Sequence, residues 1–268
     1  MRLITAVLFV LATFTSAVAQ LKHRLKTITT KQALFATTDR AGDLYIVTRE
    51  GIQKFDDKGT ILCTYSQPNI TSFDTGNGVR MLAYKRGTQQ YDILSPSLQK
   101  VESRTLDPSF AIDPELICSS GDYNIWILDR ADWSLKKIDL KESVVLVDVK
   151  MDTSQATMKI PFMREYQNLL FLLDVQTGIL IYNSLGNYIK TIPLKGVGYF
   201  NFLGEELYYF KDGKINLIDL FTGEQRVLPF SKGETSFVVM TDMRLFSVLP
   251  SGIQIYEFSP TTDIPAKD

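Results

Sequence analysis

Short apolar runs, separated by glycine and polar turn residues, occupy almost the whole chain. In the clearest unit, the run Leu44–Thr48 is followed by the turn 49–51 and by a second run, Ile52–Phe55. Short runs rich in β-branched and aromatic side chains and bounded by turn residues predict strands, and the glycine between two of them predicts a hairpin. No segment keeps a helical period over three turns. The pattern therefore predicts an all-β protein.

This pair of strands recurs along the chain. Its last large apolar residue is found at six places, namely Phe55, Tyr91, Ile138, Tyr182, Ile218 and Tyr256. The mean spacing of about 40 residues is that of one four-stranded propeller blade. Five copies carry a glycine between the two strands, and the third copy, residues 125–139, carries none. Six such units nearly fill the chain.

Further apolar runs flank each pair. Those before the pairs, which we assign to the innermost strands, are Ala33–Ala36, Ile70–Phe73, Leu116–Cys118, Ile160–Met163, Tyr199–Leu203 and Phe237–Met240. Those after the pairs, which we assign to outer strands, are Thr60–Tyr65, Leu98–Thr105, Val144–Val149, Tyr188–Ile192 and Gln225–Phe230. The sixth unit has no outer run, because Pro260 follows soon after its hairpin.

A spare strand near the beginning of the chain can supply the missing one. In residues 21–27, Lys22, Arg24 and Lys26 alternate with other side chains, which is a period of two with one charged face. If this strand pairs with the last blade, it closes the ring and removes two exposed sheet edges. The sequence thus predicts a six-bladed β-propeller of four-stranded antiparallel blades, closed by the N-terminal strand.

Residues 1–19 have the features of a secretory signal peptide. A basic start at Arg2 precedes the apolar stretch Leu3–Ala12 and an Ala-Val-Ala sequence that ends at Ala19. The apolar stretch is shorter than the roughly 20 residues that span a bilayer. We expect cleavage after Ala19, a single propeller domain over residues 20–268, and an exported protein that is not an integral membrane protein.

The first repeat resembles that of bacterial six-bladed propellers of the NHL and YVTN type. The resemblance is carried by Leu44–Thr48, Gly51-Ile52, Phe55-Asp56 and Gly59. Together with the signal peptide, the repeats are similar to exported propeller proteins of Bacteroidota. The resemblance implies the fold and a location in the periplasm or at the outer membrane. It implies no activity, because such propellers include both scaffolds and enzymes.

Charge and reactive residues exclude several functions. The chain has 29 basic and 30 acidic residues, so it lacks the basic footprint that nucleic-acid binding needs. Cys63 falls on an outer strand of the first blade and Cys118 on an inner strand of the third, which is too distant for a disulfide. His23, the only histidine, falls on the closing strand, away from any pocket suited to nucleophilic catalysis. We expect no cofactor and no metal.

The axial channel is where propellers that resemble lactonases bind Ca²⁺, which requires six to eight oxygen ligands. The inner runs here are apolar, with Asn201 as the main polar exception, and they predict a packed or apolar channel. Acids follow these runs at Asp39, Asp74, Asp122, Glu165, Glu205 and Asp242. They are explained as turn residues that bind the following backbone, or alternatively as a ring that binds a cation.

Trp133, in the third hairpin, is a candidate partner contact, because tryptophan is enriched among the residues that dominate interfaces. The alternative is a tryptophan packed at the start of a strand. These observations favour a non-enzymatic scaffold whose partner is another envelope protein. A divalent-cation-dependent, lactonase-like hydrolase and a module that binds carbohydrate or another small ligand are the alternatives.

Overall fold

The computed structural model describes residues 20–30, 32–76, 78–121, 123–152, 159–230 and 233–259. In this part of the chain, 24 β-strands form six four-stranded antiparallel sheets, with one 3₁₀ turn at Arg86–Thr88. The sheets are the blades of a six-bladed β-propeller, as the repeats predict. No helix among the described residues is long and apolar enough to cross a membrane. The predicted signal peptide, residues 1–19, lies outside the described residues.

The blades are numbered along the chain, and their strands follow from the axis outward. Blade 1 contains β2 (Phe35–Thr38), β3 (Leu44–Thr48), β4 (Gly51–Phe55) and β5 (Ile61–Tyr65). Blade 2 contains β6 (Ser72–Asp74), β7 (Met81–Lys85), β8 (Gln90–Leu94) and β9 (Lys100–Thr105). Blade 3 contains β10 (Pro114–Ser120), β11 (Asn124–Asp129), β12 (Ser134–Asp139) and β13 (Val144–Lys150).

The second half of the ring repeats this order. Blade 4 contains β14 (Phe162–Tyr166), β15 (Leu169–Asp174), β16 (Gly178–Asn183) and β17 (Tyr188–Pro193). Blade 5 contains β18 (Phe200–Leu203), β19 (Glu206–Lys211), β20 (Lys214–Asp219) and β21 (Gln225–Pro229). Blade 6 contains β22 (Phe237–Met240), β23 (Arg244–Leu249), β24 (Gly252–Ser259) and, as its outer strand, β1 (Gln20–Thr29).

The ring is closed by the N-terminal strand, as the alternating charges of residues 21–27 predict. β1 pairs antiparallel with β24, and Ile28 lies opposite Ile253 in this register. Ile28 is buried in the same cluster as Ile253 and Leu44, so the closing strand also contributes to the interface between blades 6 and 1. The two ends of the described chain are thereby joined in one sheet.

The core is divided among the blade interfaces. The described residues form six buried apolar clusters at the six blade interfaces, and the cluster between blades 6 and 1 also includes Tyr199 of blade 5. The second strand of a blade packs against both neighbours, so its apolar residues do not alternate with polar ones. All five residues of β3, for example, are buried. This burial explains why the second strands read as continuous apolar runs in the sequence.

Large polar aromatics link one blade to the next. Tyr84 of blade 2 donates a hydrogen bond to the Pro114 carbonyl of blade 3 at 2.7 Å. Trp126 of blade 3 donates to the Glu165 carboxylate of blade 4 at 2.5 Å. These rings are fully buried, and burying an unpaired hydroxyl or indole N–H is unfavourable. The hydrogen bonds therefore help to set how neighbouring blades pack.

Four inner strands, those of blades 1, 2, 4 and 5, begin later than predicted. In blade 4 the strand starts at Phe162, two residues after the predicted Ile160, because Pro161 has no N–H to donate to a sheet. The same strand continues to Tyr166, three residues beyond the predicted end at Met163. In blade 1 the strand covers Phe35–Thr38 and not Ala33–Ala36. The extension in blade 4 changes which side chains line the axis.

Candidate binding site in the axial channel

The two ends of the axial channel differ in chemistry. All six inner strands run in the same direction, because each follows the outer strand of the preceding blade. We call the end where these strands begin the upper face and the end where they finish the lower face. A cavity of about 650 Å³ opens at the upper face, and a second cavity of about 520 Å³ opens at the lower face.

Aromatic rings from four blades form the inner part of the upper cavity. Phe35 and Phe162 belong to opposite blades, 1 and 4, and their ring centroids are 5.5 Å apart across the axis. Tyr199 lies 5.4 Å from Phe162 and 4.7 Å from Phe237. Leu34, together with Ile70 and Leu116 from other blades, adds aliphatic surface. An apolar cavity of this volume is typical of sites that bind organic ligands or apolar side chains.

A layer of polar side chains lies directly below the rings. Side chains two residues apart on a strand point the same way, so Thr37 follows Phe35 and Arg164 follows Phe162. The Nη1 atom of Arg164 donates hydrogen bonds to the Asn201 side-chain oxygen at 2.5 Å and to the Thr37 hydroxyl at 3.3 Å. Arg164 thus joins blades 4, 5 and 1 at the centre of the molecule. It lines both the upper and the lower cavity.

The phenol of Tyr199 belongs to the same polar layer. It accepts a hydrogen bond from the side-chain amide of Asn201 at 2.9 Å. Burial raises the pKa of Tyr199, and the nearby charge of Arg164 opposes this shift only in part. The phenol is therefore protonated at neutral pH. Of the described residues that line the upper cavity, Arg164 is the only basic residue and Asp74 the only carboxylic acid.

The acids near the lower face are used in structural contacts. Asp39 accepts hydrogen bonds from the backbone N–H of Ala41 and Asp43. Asp74 accepts from the N–H of Gly76 within its own turn and from Ser119 of blade 3, both at 2.9 Å. The interpretation of these two acids as turn residues is confirmed.

The remaining acids of the predicted ring do not form a common site in the described part of the chain. Glu165 lies within β14, not after it, and accepts hydrogen bonds from Ser120 and Trp126. Glu205 and Asp242 are exposed in the turns that follow β18 and β22. Asp122 lies outside the described residues. Among the described residues, no group of three or more His, Cys, Asp or Glu side chains could hold a metal ion.

The other residues singled out in the sequence lie away from the axis. Trp133 lies in the turn between β11 and β12 on the upper face, has a positive φ of 54°, and is half-buried against the cluster between blades 3 and 4. Its role in partner binding stays a prediction. His23 falls on β1, the outer strand of blade 6. Cys63 and Cys118 lie on β5 and β10 as predicted, and both are free thiols.

The prediction of a packed or apolar channel is right for the upper half and wrong for the lower half, which polar side chains line. The residue that this prediction misses is Arg164. The predicted inner strand of blade 4 ends at Met163, which leaves Arg164 outside the channel. Continued alternation through Phe162, Arg164 and Tyr166 is the signal in the sequence that places the guanidinium on the axis side of this strand.

Comparison with known proteins supports the fold. No protein-family model and no curated protein matches the chain. The structure of streptogramin B lyase is similar with a TM-score of 0.58 at 12% identity, over 88% of this chain and 97% of that one. A chain of the mitotic checkpoint complex gives a TM-score of 0.61 at 9% identity, over 96% of this chain and 100% of that one.

A third structure, BamB from Moraxella catarrhalis, gives a TM-score of 0.45 at 10% identity, over 83% of each chain. This score is too low to support any argument. The identities to the other two structures are low enough that their likeness shows the propeller fold alone. A shared propeller fold does not by itself indicate a shared function.

Proposed function

We propose that the protein is a non-enzymatic scaffold of the cell envelope and that its upper cavity receives an apolar group of a partner protein. The observation that carries this proposal is the aromatic cavity at the upper end of the axis. Clustered aromatic side chains in a central pocket are typical of the residues that contribute most to protein–protein affinity. The rigid ring of blades keeps this pocket formed in the absence of a partner.

The proposed location follows from the sequence. The features of residues 1–19 support export with cleavage after Ala19, and the repeat at residues 44–59 supports a propeller of the NHL and YVTN type. The partner is accordingly another protein of the periplasm or the outer membrane. Trp133 is a second contact in this proposal, because its turn lies on the same face as the upper cavity.

Hydrolysis through a channel cation is less well supported. A calcium site needs six to eight oxygen ligands around one point. The carboxylates of Asp39, Asp74 and Glu165 instead accept hydrogen bonds from neighbouring backbone or side-chain groups. These contacts do not involve the aromatic rings of the upper cavity, where the scaffold proposal places the partner.

Two matched variants test the proposal. Leu34 lines the upper cavity and is 48% exposed, whereas Phe221 lies in a turn of the lower face and is 72% exposed. Each is changed to Glu in the tagged full-length chain, and proteins captured from detergent-solubilised envelopes are quantified by mass spectrometry. We expect a partner that is enriched equally by the wild type and Phe221→Glu and is lost with Leu34→Glu.

Both variants alter an exposed side chain, so both should melt at the wild-type temperature. Equal capture by Leu34→Glu and the wild type contradicts the proposal. Loss of the partner with Phe221→Glu alone assigns binding to the lower face and also contradicts it. Capture of no protein by the wild type counts against a scaffold altogether.

A further inference from the structure

Arg164 has hydrogen-bonding capacity that the described residues do not use. A guanidinium group has five N–H donors, and only Nη1 of Arg164 donates to a described partner. No described carboxylate lies within 4.0 Å of its nitrogen atoms. Among the described residues, no side-chain N or O atom is both buried and without a partner. The Nε and Nη2 atoms therefore border accessible space in the channel.

The unused edge of Arg164 is suited to a carboxylate. The Nε and Nη2 groups of a guanidinium form a planar fork that binds both oxygens of a carboxylate at once. Arg226 shows this arrangement elsewhere in the protein, where Nε and Nη2 contact the two oxygens of Glu206 at 2.6 and 2.5 Å. At Arg164 the same edge has no such carboxylate among the described residues.

The other charged residue of the upper cavity does not fill this role. Asp74 also lines the cavity, but one carboxylate oxygen accepts from the N–H of Gly76 and the other from the N–H of Ser119. It forms no ion pair with Arg164 within 4.0 Å. The upper cavity thus combines a cation at its floor with an apolar wall of Phe35 and Phe162.

We infer that the upper cavity binds the C-terminal end of a partner protein, with its last, apolar side chain packed against the aromatic wall and its terminal carboxylate on the Nε and Nη2 edge of Arg164. This inference rests on the proposed function and names the group that enters the cavity. The cavity has a cation below an apolar layer, so its occupant must be negatively charged at its tip and apolar just behind the tip. A protein C-terminus with an apolar last residue meets both requirements.

The rim of the cavity indicates a polypeptide and not a free acid. Asn69, Thr71 and Ser236 line the mouth and are exposed. Their side chains can form hydrogen bonds with the N–H and C=O groups of a chain that continues outward from the cavity. A small apolar acid would have no groups to match them. The order of floor, wall and rim therefore fits the last residues of a protein chain.

The test uses two displayed libraries of short peptides that differ only at the C-terminus. One library has a free carboxylate, the other an amide, and the last two positions vary over all residues. The purified protein should select free-carboxylate peptides that end in an apolar or aromatic residue. Arg164→Gln should weaken binding of a selected peptide by about 10- to 100-fold, as expected for the loss of hydrogen bonds to a charged group.

Two further variants separate charge from geometry. Arg164→Lys keeps the charge but loses the fork, so it should recover only part of the affinity. Arg40→Gln removes an exposed cation that lines the lower cavity and should leave binding unchanged. Equal selection of amidated peptides, full affinity of Arg164→Gln, or binding of straight-chain carboxylic acids without any peptide overturns the inference. If Leu34-dependent capture persists in Arg164→Gln, the proposed function stands and this inference fails.

Discussion

Replacing Asp129 with alanine is expected to destabilise the protein by about 3–5 kcal/mol, the usual cost of removing one partner from a buried ion pair. The side chain of Asp129 is fully buried at the end of β11. It accepts hydrogen bonds from the backbone N–H of Ile112, Asp113 and Ala131 at 3.0–3.1 Å and from the Lys136 ammonium at 2.8 Å. Alanine leaves all four donors without this acceptor.

The protonation state of Asp129 supports this magnitude. Burial alone would raise the pKa of its carboxyl group, but the Lys136 ammonium and the backbone N–H groups outweigh burial and lower the pKa. The carboxylate is therefore charged at neutral pH and compensates a lysine that is itself buried. The double variant Asp129→Ala/Lys136→Met should be less destabilised than Asp129→Ala alone, because it leaves no uncompensated charge.

Urea unfolding at pH 7 measures these differences as changes in the free energy of unfolding at a constant m-value. Asp139→Ala is the matched control, since Asp139 lies in the same blade but accepts only turn hydrogen bonds from Lys141 and Glu142 near the surface. We expect a loss of about 1 kcal/mol or less for this control. A loss below about 1 kcal/mol for Asp129→Ala would contradict this prediction, because the buried network would then contribute no more than the surface turn.

Three further predictions concern the fold. Gly51→Ala should lower the melting temperature by several degrees, because the added Cβ atom would lie 2.0 Å from the Tyr65 carbonyl oxygen and the backbone φ at this position is +143°. Gly87→Ala is the control and should be nearly neutral, because its added Cβ would meet no atom within 4 Å. Burial would raise the pKa of Asp92, but hydrogen bonds from neighbouring side chains outweigh burial and lower it. The ionised carboxylate therefore contributes fully to the stability of the fold above about pH 4, and this contribution is lost on further acidification. Asp92→Asn should reduce the acid dependence of urea unfolding below that pH. Deletion of residues 20–29 leaves the edge of β24 unpaired and should produce oligomers or unfolding in size-exclusion chromatography, whereas a stable monomer would contradict ring closure.

The fold could be predicted from the sequence because its determinants are local and repeated. Each hairpin contains its own apolar runs and turn, so six copies at a spacing of about 40 residues indicate both the blade and the number of blades. The closing strand could be predicted because residues 21–27 alternate charged and other side chains, but the two irregularities in its pairing with β24, around Arg24, leave no mark in that pattern. The third hairpin lacks a glycine, and Trp133 takes a positive φ there instead.

The candidate site could be predicted only in part, because it is assembled from residues that are far apart in sequence. Arg164 contacts Thr37, 127 positions away, and Asn201, 37 positions away. A local pattern shows that Phe35 and Phe162 are apolar, but not that they meet across the axis. The polar layer depends on the register of three blades around the axis, which is a property of the closed ring.

Site-specific photo-crosslinking in living cells tests most directly whether the upper cavity is the binding site. A photoreactive phenylalanine analogue replaces either Phe237, on the wall of the upper cavity, or Phe221, on the lower face. We predict that irradiation crosslinks a partner protein at position 237 and not at position 221. A crosslink at position 221 with none at position 237 would place the partner on the lower face and contradict the proposed binding site.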